Sequence, residues 1–298
     1  MKMRHNFIIT IFFAVFMLGI FPKLAAIEEN GEYALLYPTL LKTGKNILGS
    51  DLKNWHARSS AVCKMERGKG SPFSKTAPTL LVDSASSRPN YWGHSVKVPG
   101  GRTFLAGAWV KNNNAKILFW FFGNYGKPVR RMNERIYFFA GFNQQLKTHL
   151  SPESQALLGG DPSKWHLCYR LIKTPETAKI FYQNMMIGTY FASGQITIAE
   201  PFYIDVTNIE KSGMTADIKG KKSIKSLNVI DLYTRDVIWS KTFKHPVKSF
   251  KQEIPGTDFR HGLNAKIEFN GYLMQVEYTD GSFASFSAPE ENSQKHQR

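Results

Sequence analysis

Two short turns near the C-terminus constrain this chain most. Asn270-Gly271 and Asp280-Gly281 separate three β-prone runs, Ala265–Phe269, Tyr272–Tyr278 and Ser282–Phe286. Asn-Gly and Asp-Gly favour the type I′ hairpin turn because both central residues take φ > 0. The three runs therefore predict an antiparallel meander. Just upstream, Leu227–Tyr233 and Val237–Phe243 flank Thr234-Arg235-Asp236 and predict another hairpin.

The rest of the chain carries the same signature. Aromatic residues make up 13% of it, which favours β-rich packing over a helical bundle. Strands are expected at Ala61–Met65, Thr79–Val82, His94–Val98, Thr103–Lys111, Lys116–Phe122, Trp165–Ile172, Ala178–Met186 and Ile196–Val206. Pro99-Gly100-Gly101 and Asn112-Asn113-Asn114 read as turns between them. Residues 142–164 read as a polar insertion holding one small helix, begun by Ser151-Pro152-Glu153 and stopped by Gly159-Gly160. The expected fold is all-β: a jelly-roll β-sandwich over residues 27–207, then a smaller antiparallel β domain over residues 208–298. The Lys/Gly/Ser-rich residues 208–225 look like the boundary, and residues 287–298 are expected to fray as a disordered tail.

The N-terminus reads as a signal peptide over residues 1–26. Lys2 and Arg4 precede an apolar run from Phe7 to Phe21, Pro22-Lys23 breaks it, and Leu24-Ala25-Ala26 supplies small residues before Ile27. The run is shorter than the roughly 20 residues that span a bilayer. No second run is long enough to cross, so no transmembrane segment is expected in the mature chain. Export to the periplasm, the cell surface or the medium follows. The formal net charge is +16, and residues 27–207 carry +10 of it with only 12 acidic residues. Outside the cytoplasm such a field attracts anionic glycans or lipid headgroups, while export removes nucleic acid as the usual partner. Two cysteines, Cys63 and Cys168, are compatible with one disulfide in an oxidising compartment or with two separate buried thiols.

Several stretches of residues 46–207 resemble carbohydrate-binding modules of the galactose-binding-like β-sandwich type. Asn46-Ile47-Leu48 with Trp55 is similar to their entry strand. Val98-Pro99-Gly100-Gly101-Arg102-Thr103-Phe104, followed by Gly107-Ala108-Trp109-Val110-Lys111, is similar to their hairpin. Trp165 to Ile172, and then Ile196 to Val206 through Tyr203-Ile204-Asp205, look like their closing strands. The resemblance implies a jelly roll with a sugar cleft and a structural calcium, for which Asp205 is the candidate ligand. Val206 stands where the family often has a second Asp, and the insertion at 142–164 is a departure.

Candidate ligand-binding residues are Trp92, Trp109, Trp120 and Tyr125 for stacking on sugar rings, with Arg88 and Lys111 beside them. Strand alternation puts Leu105, Gly107, Trp109 and Lys111 on one face, and Phe104, Ala106, Ala108 and Val110 on the other. The second face reads as core, and the first as either cleft or a second packed surface. Ile117–Phe122 is apolar on both faces, which favours Trp120 as core. Trp92 lies among Arg88, Asn90 and His94, a polar neighbourhood that suggests exposure.

Signals for catalysis are thin. No P-loop and no G-x-S-x-G pattern occurs, and the histidines lack the pairing of a zinc site. The reading is an exported, non-catalytic glycan-binding protein, with an acidic polysaccharide as a candidate ligand. Its alternatives are a cell-envelope structural or assembly component that binds protein partners, and then a carbohydrate-active enzyme. N-terminal sequencing of the exported protein is expected to begin at Ile27; an intact Met1 in a membrane fraction would contradict the signal.

Overall fold

The structure, a computed structural model, describes residues 33–85, 88–113, 115, 117–124, 131–138, 165–176, 180–189, 193–261, 271–288 and 292–293. In chain order its strands are β1 (Tyr33–Pro38), β2 (His56–Ala57), β3 (Cys63–Glu66), β4 (Thr79–Ser84), β5 (Asn90–Pro99), β6 (Thr103–Asn113), β7 (Ile117–Asn124) and β8 (Arg131–Phe138). They continue as β9 (His166–Lys173), β10 (Ile180–Thr189), β11 (Gly194–Asp205), β12 (Met214–Asp231), β13 (Val237–Ile254), β14 (Tyr272–Tyr278), β15 (Phe283–Ala288) and β16 (Asn292–Ser293). A single helical turn, α1 (Leu40–Thr43), follows β1.

These strands form three antiparallel sheets. A front sheet runs β16-β8-β7-β10-β5-β2, a middle sheet β3-β4-β11-β6-β9, and a back sheet β1-β12-β14-β15 with β13 also paired to β12. The front and middle sheets close a sandwich on one core that includes Trp92, Val96, Phe119 and Ile187 opposite Leu80, Phe104, Ala108 and Tyr203. The middle sheet's other face packs on the back sheet through Leu105, Trp109, Tyr169 and Phe202 against Leu36, Tyr37, Met214 and Ala216. So the fold is the expected all-β one, a sandwich followed by a smaller antiparallel sheet, stacked as three layers.

The strands expected in residues 61–206 all form. β1 and β8 were not anticipated. The Pro99-Gly100-Gly101 turn carries the chain from the front sheet to the middle one rather than closing a hairpin, because β5 and β6 belong to different sheets. The hairpin at Thr234-Arg235-Asp236 forms, with Arg235 in the left-handed region at φ +65°. The β14–β15 hairpin also forms, but not on a type I′ turn. The Tyr278 N–H bonds the Ser282 carbonyl, and Gly281, not Asp280, takes the positive φ. That is a three-residue loop with glycine at the left-handed position. The strand expected at Ala265–Phe269 and the helix expected at residue 151 lie outside the described residues.

Residues 208–225, which read as a boundary, supply the first half of β12. β1, from the other side of that boundary, pairs with it from Tyr33↔Lys219 to Pro38↔Met214. The tail does not simply fray: Ser287 and Ala288 end β15, and β16 pairs with Tyr137 and Phe138.

The disulfide does not form. Cys63 and Cys168 are both buried, and neither is in a disulfide. They sit on β3 and β9, the two edges of the middle sheet. Four strand spacings of about 4.8 Å separate them by roughly 19 Å, while a disulfide needs Cα atoms within about 7 Å. Among the described residues no helix is long and apolar enough to cross a membrane.

One core residue ties stability to pH. His94 on β5 is buried against Trp55, ring centroids 5.5 Å apart, and neither ring nitrogen has a partner of hydrogen-bond geometry. Burial, helped by the nearby His56, pushes its pKa below the ordinary 6.5, and the Ser95 backbone offsets this only in part. Above 6.5 the ring is neutral folded or unfolded, and nothing is lost. As pH falls through 6.5 the unfolded chain takes a proton that the folded chain refuses, so stability drops. The melting temperature is expected to fall between pH 7.5 and 5, and His94→Leu is expected to flatten that slope.

Candidate functional site

The outer face of the front sheet is where the described surface gathers aromatic and polar side chains. On β5, alternation turns Trp92, His94, Val96 and Val98 into the core and leaves Tyr91, Gly93, Ser95 and Lys97 facing out. β10 contributes Tyr182, Asn184 and Met186, and β7 contributes Trp120 and Phe122. Pairing sets Trp120 level with Met186 and Gly93, Phe122 level with Asn184 and Ser95, and Tyr182 level with Lys97.

Tyr91 on β5 and Trp120 on β7 reach each other diagonally across β10, with ring centroids 6.1 Å apart and edges meeting faces. Gly188 makes this possible. It pairs with Tyr91, and a Cβ there would come within 2.6 Å of the Tyr91 Cβ. Trp120 in turn meets Phe122, centroids again 6.1 Å apart. The three rings form a continuous half-buried ridge, and Tyr182 stands free of it at 67% exposure.

Polar groups flank the rings. Ser95 donates its hydroxyl to the Asn184 side-chain oxygen. Arg58 donates to the Tyr91 hydroxyl at 3.3 Å, with its guanidinium carbon 5.3 Å from the ring centre. Lys97 and His56 are exposed. Among the described residues of this face there is no carboxylate. An aromatic ridge with hydroxyl, amide and cationic neighbours suits a ligand with C–H faces and hydrogen-bonding edges.

The residues singled out in the sequence fall differently. Trp120 is on the ridge, facing outward and half-buried rather than in the core. Trp92 is core: it is 6% exposed and donates its indole N–H to the Leu81 carbonyl at 2.9 Å. Asn90 and His94, two residues to either side, are buried on the same face, and the outward-facing ring is Tyr91, one residue earlier. Trp109 is 3% exposed, edge-on to Tyr37 and Phe73 between the middle and back sheets. Lys111 lies on the same strand, its ammonium 4.9 Å from the Trp165 ring centre, far from the front face. Arg88 is exposed just before β5, and its carbonyl accepts from the Asn90 side chain. Tyr125 lies outside the described residues.

Asp205 does not fit a calcium ligand. Arg102 grips it through two nitrogens at 2.7 and 2.8 Å, and Thr207 donates to it through both hydroxyl and backbone N–H. Hydrogen bonds from Thr207 and Arg102 outweigh partial burial and hold its pKa below the ordinary carboxylate value. A guanidinium at that distance repels a hard cation. Among the described residues, no group of three or more His, Cys, Asp or Glu could hold a metal.

Alternation within β10 was the signal that could have found Tyr182 and Asn184, since Gln183, Met185 and Ile187 fill the core between them. Ser95, Lys97 and Arg58 carry no sequence signal without the pairing register.

No family model matches the chain, and no curated protein matches it. Among solved structures, a family 16 carbohydrate-binding module is similar at 8% identity and a TM-score of 0.36, over 54% of this chain and 99% of that one. The CBM22-1-GH10 modules of Clostridium thermocellum xylanase 10B are similar at 10% identity and a TM-score of 0.37, over 60% of this chain and 29% of that one. The enzymatically active domain of tailspike protein 4 from bacteriophage CBA120 is similar at 12% identity and a TM-score of 0.35, over 52% of this chain. The match spans 20% of the tailspike chain.

Because Trp92 and Trp109 are packed, truncating them is expected to cost stability. Trp92→Ala and Trp109→Ala should each lower the unfolding free energy by about 3–5 kcal/mol. Urea denaturation monitored by circular dichroism measures this, and a loss within 0.5 kcal/mol of zero, roughly what a surface substitution gives, would place the ring outside the core.

Proposed function

We propose that this protein is exported and binds glycan, without catalysis, through the outer face of its front sheet. The observation that carries the reading is the half-buried ridge of Tyr91, Trp120 and Phe122 on the outer face of that sheet, beside Ser95, Asn184 and Lys97. Sugar rings present C–H faces that pack on aromatic surfaces, while Ser95 and Asn184 offer partners for hydroxyls. Arg58 and Lys97, with no described carboxylate on the face, favour a chain bearing acidic groups.

A second reading has its own observation. Tyr233, Val237 and Ile238, at the tip of the β12–β13 hairpin, are 60%, 55% and 37% exposed. An apolar tip of this kind suits a protein partner, as in a cell-envelope assembly component. Co-purification at fixed stoichiometry would support it.

Calorimetric titration with neutral and uronic-acid oligosaccharides, at about 0.1 and 1 M salt, tests the glycan reading. The Debye length falls from about 10 to about 3 Å over that range, so charge attraction fades while stacking persists. Trp120→Ala is expected to weaken binding about tenfold or more at both salts, a loss of about 1.4 kcal/mol. Lys97→Ala should weaken it only at low salt, and only for the acidic oligosaccharides. Binding of no glycan, or binding untouched by both Trp120→Ala and Tyr182→Ala, would overturn the assignment.

A further inference from the structure

On the far side of the middle sheet, away from the aromatic ridge, β11 breaks its pairing with β6. Ala199 pairs with Trp109 and Phe202 with Gly107, so Glu200 and Pro201 bulge between them. Glu200 takes φ +46°, a left-handed conformation that costs a non-glycine residue roughly 1–3 kcal/mol. The bulge is fastened on both sides. The Asn46 amide donates to the Pro201 carbonyl at 3.0 Å, and its side-chain oxygen accepts the Tyr203 N–H at 2.9 Å. Ser71, fully buried, donates its hydroxyl to the Glu200 carboxylate.

What the strained bulge achieves is to set that carboxylate in a pocket of about 300 Å³. Leu41, Leu52, Phe202 and Ile204 supply apolar walls, and Lys42 supplies a cation. The Lys42 ammonium stands 3.2 Å from the centre of the Phe73 ring. Lys42 and Glu200 both remain exposed in part, yet partial burial pushes the Lys42 pKa down against the attraction of Glu200 and pushes the Glu200 carboxyl up. Among the described ion pairs, none joins the two. Opposite charges therefore share one apolar pocket, near enough to feel each other yet without pairing.

We propose that this pocket binds a small zwitterion, an α-amino acid with an apolar side chain. The ligand's ammonium meets Glu200, its carboxylate meets Lys42, and its side chain lies against Leu41, Leu52 and Ile204. A simple anion would face Glu200 and a simple cation would face Lys42, so a ligand of one sign is disfavoured. A sugar is disfavoured because the rings are occupied. Lys42 covers Phe73, and Trp109 is 3% exposed, with its contacts to Tyr37 and Phe73. The volume sits at the small end of the range for small-molecule sites.

The test is thermal unfolding and calorimetric titration of the whole exported protein with millimolar L-leucine, L-phenylalanine, N-acetyl-L-leucine, L-leucine methyl ester and glucose. Leucine and phenylalanine should raise the melting temperature and bind saturably. The two capped leucines, each lacking one charge, should bind at least about tenfold more weakly. Glu200→Gln and Lys42→Met should each weaken leucine binding by a similar factor, while Trp120→Ala should leave it unchanged. If neither amino acid binds, if the capped forms bind as well as leucine, or if glucose binds in their place, the proposal fails. Should either pocket variant not fold, the capped ligands on the unaltered protein decide.

Discussion

The architecture depends on a middle sheet that is covered on both faces. Its strand β6, flanked by β11 and β9, holds seven successive buried residues, Phe104 to Val110. Such a strand needs side chains that fit two layers at once, and Gly107 marks where the fit is tightest. A Cβ on Gly107 would come within 2.3 Å of the Cys168 carbonyl and 2.5 Å of the Phe202 ring. Phe202 reaches that spot because the bulge at Glu200 and Pro201 shifts the register of β11. The absent side chain on one strand and the extra residues on its neighbour are therefore one device. Together they let the Phe202 ring lie against the backbone of β6.

The back sheet is held in turn by a buried carboxylate. Asp217 on β12 accepts from the Tyr37 hydroxyl at 2.9 Å and the Tyr33 hydroxyl at 3.1 Å, both on β1, and pairs with Lys251 on β13 at 3.0 Å. Asp217 is 4% exposed, so its charge is tolerable only because three donors surround it. Burial, then the nearby negative charge of Asp217, pushes the Tyr33 hydroxyl up to about 12 and Tyr37 higher still, so both keep their protons to donate. This cluster joins strands from opposite ends of the chain. It makes residues 33–38 part of a sheet otherwise built from residues beyond 213.

That long-range pairing explains which parts of the molecule were legible. The strands of residues 61–206 follow from local turn residues and β-prone runs, and the face of β6 carrying Phe104, Ala106, Ala108 and Val110 is core as alternation implies. Whether the opposite face met solvent or a second layer could not be read from β6 itself, because its cover comes from β1 and β12. Trp109 and Trp92 look like stacking residues for the same reason: sequence gives neighbours along a strand, while burial is decided across strands. Lys219, Lys221, Lys222 and Lys225 made β12 resemble a linker. In the sheet, Lys222 meets Asp280 and Lys225 meets Glu277 at 2.9 and 2.7 Å. Their charge belongs to a strand surface rather than to a tether.

Two thiols in a chain read as exported call for a physical account, and the layers provide one. Thiol oxidation runs through the thiolate and needs access. Cys63 is 3% exposed and Cys168 is fully covered, and burial pushes the Cys63 thiol above its usual pKa against the backbone hydrogen bonds that favour its ionised form. Cys63 therefore has little thiolate to offer, and neither cysteine has a path to an oxidant or to the other. A small exported domain commonly needs a disulfide because its single core is thin. Here the middle sheet contributes to two cores at once, so the chain buries enough apolar surface to dispense with the bridge.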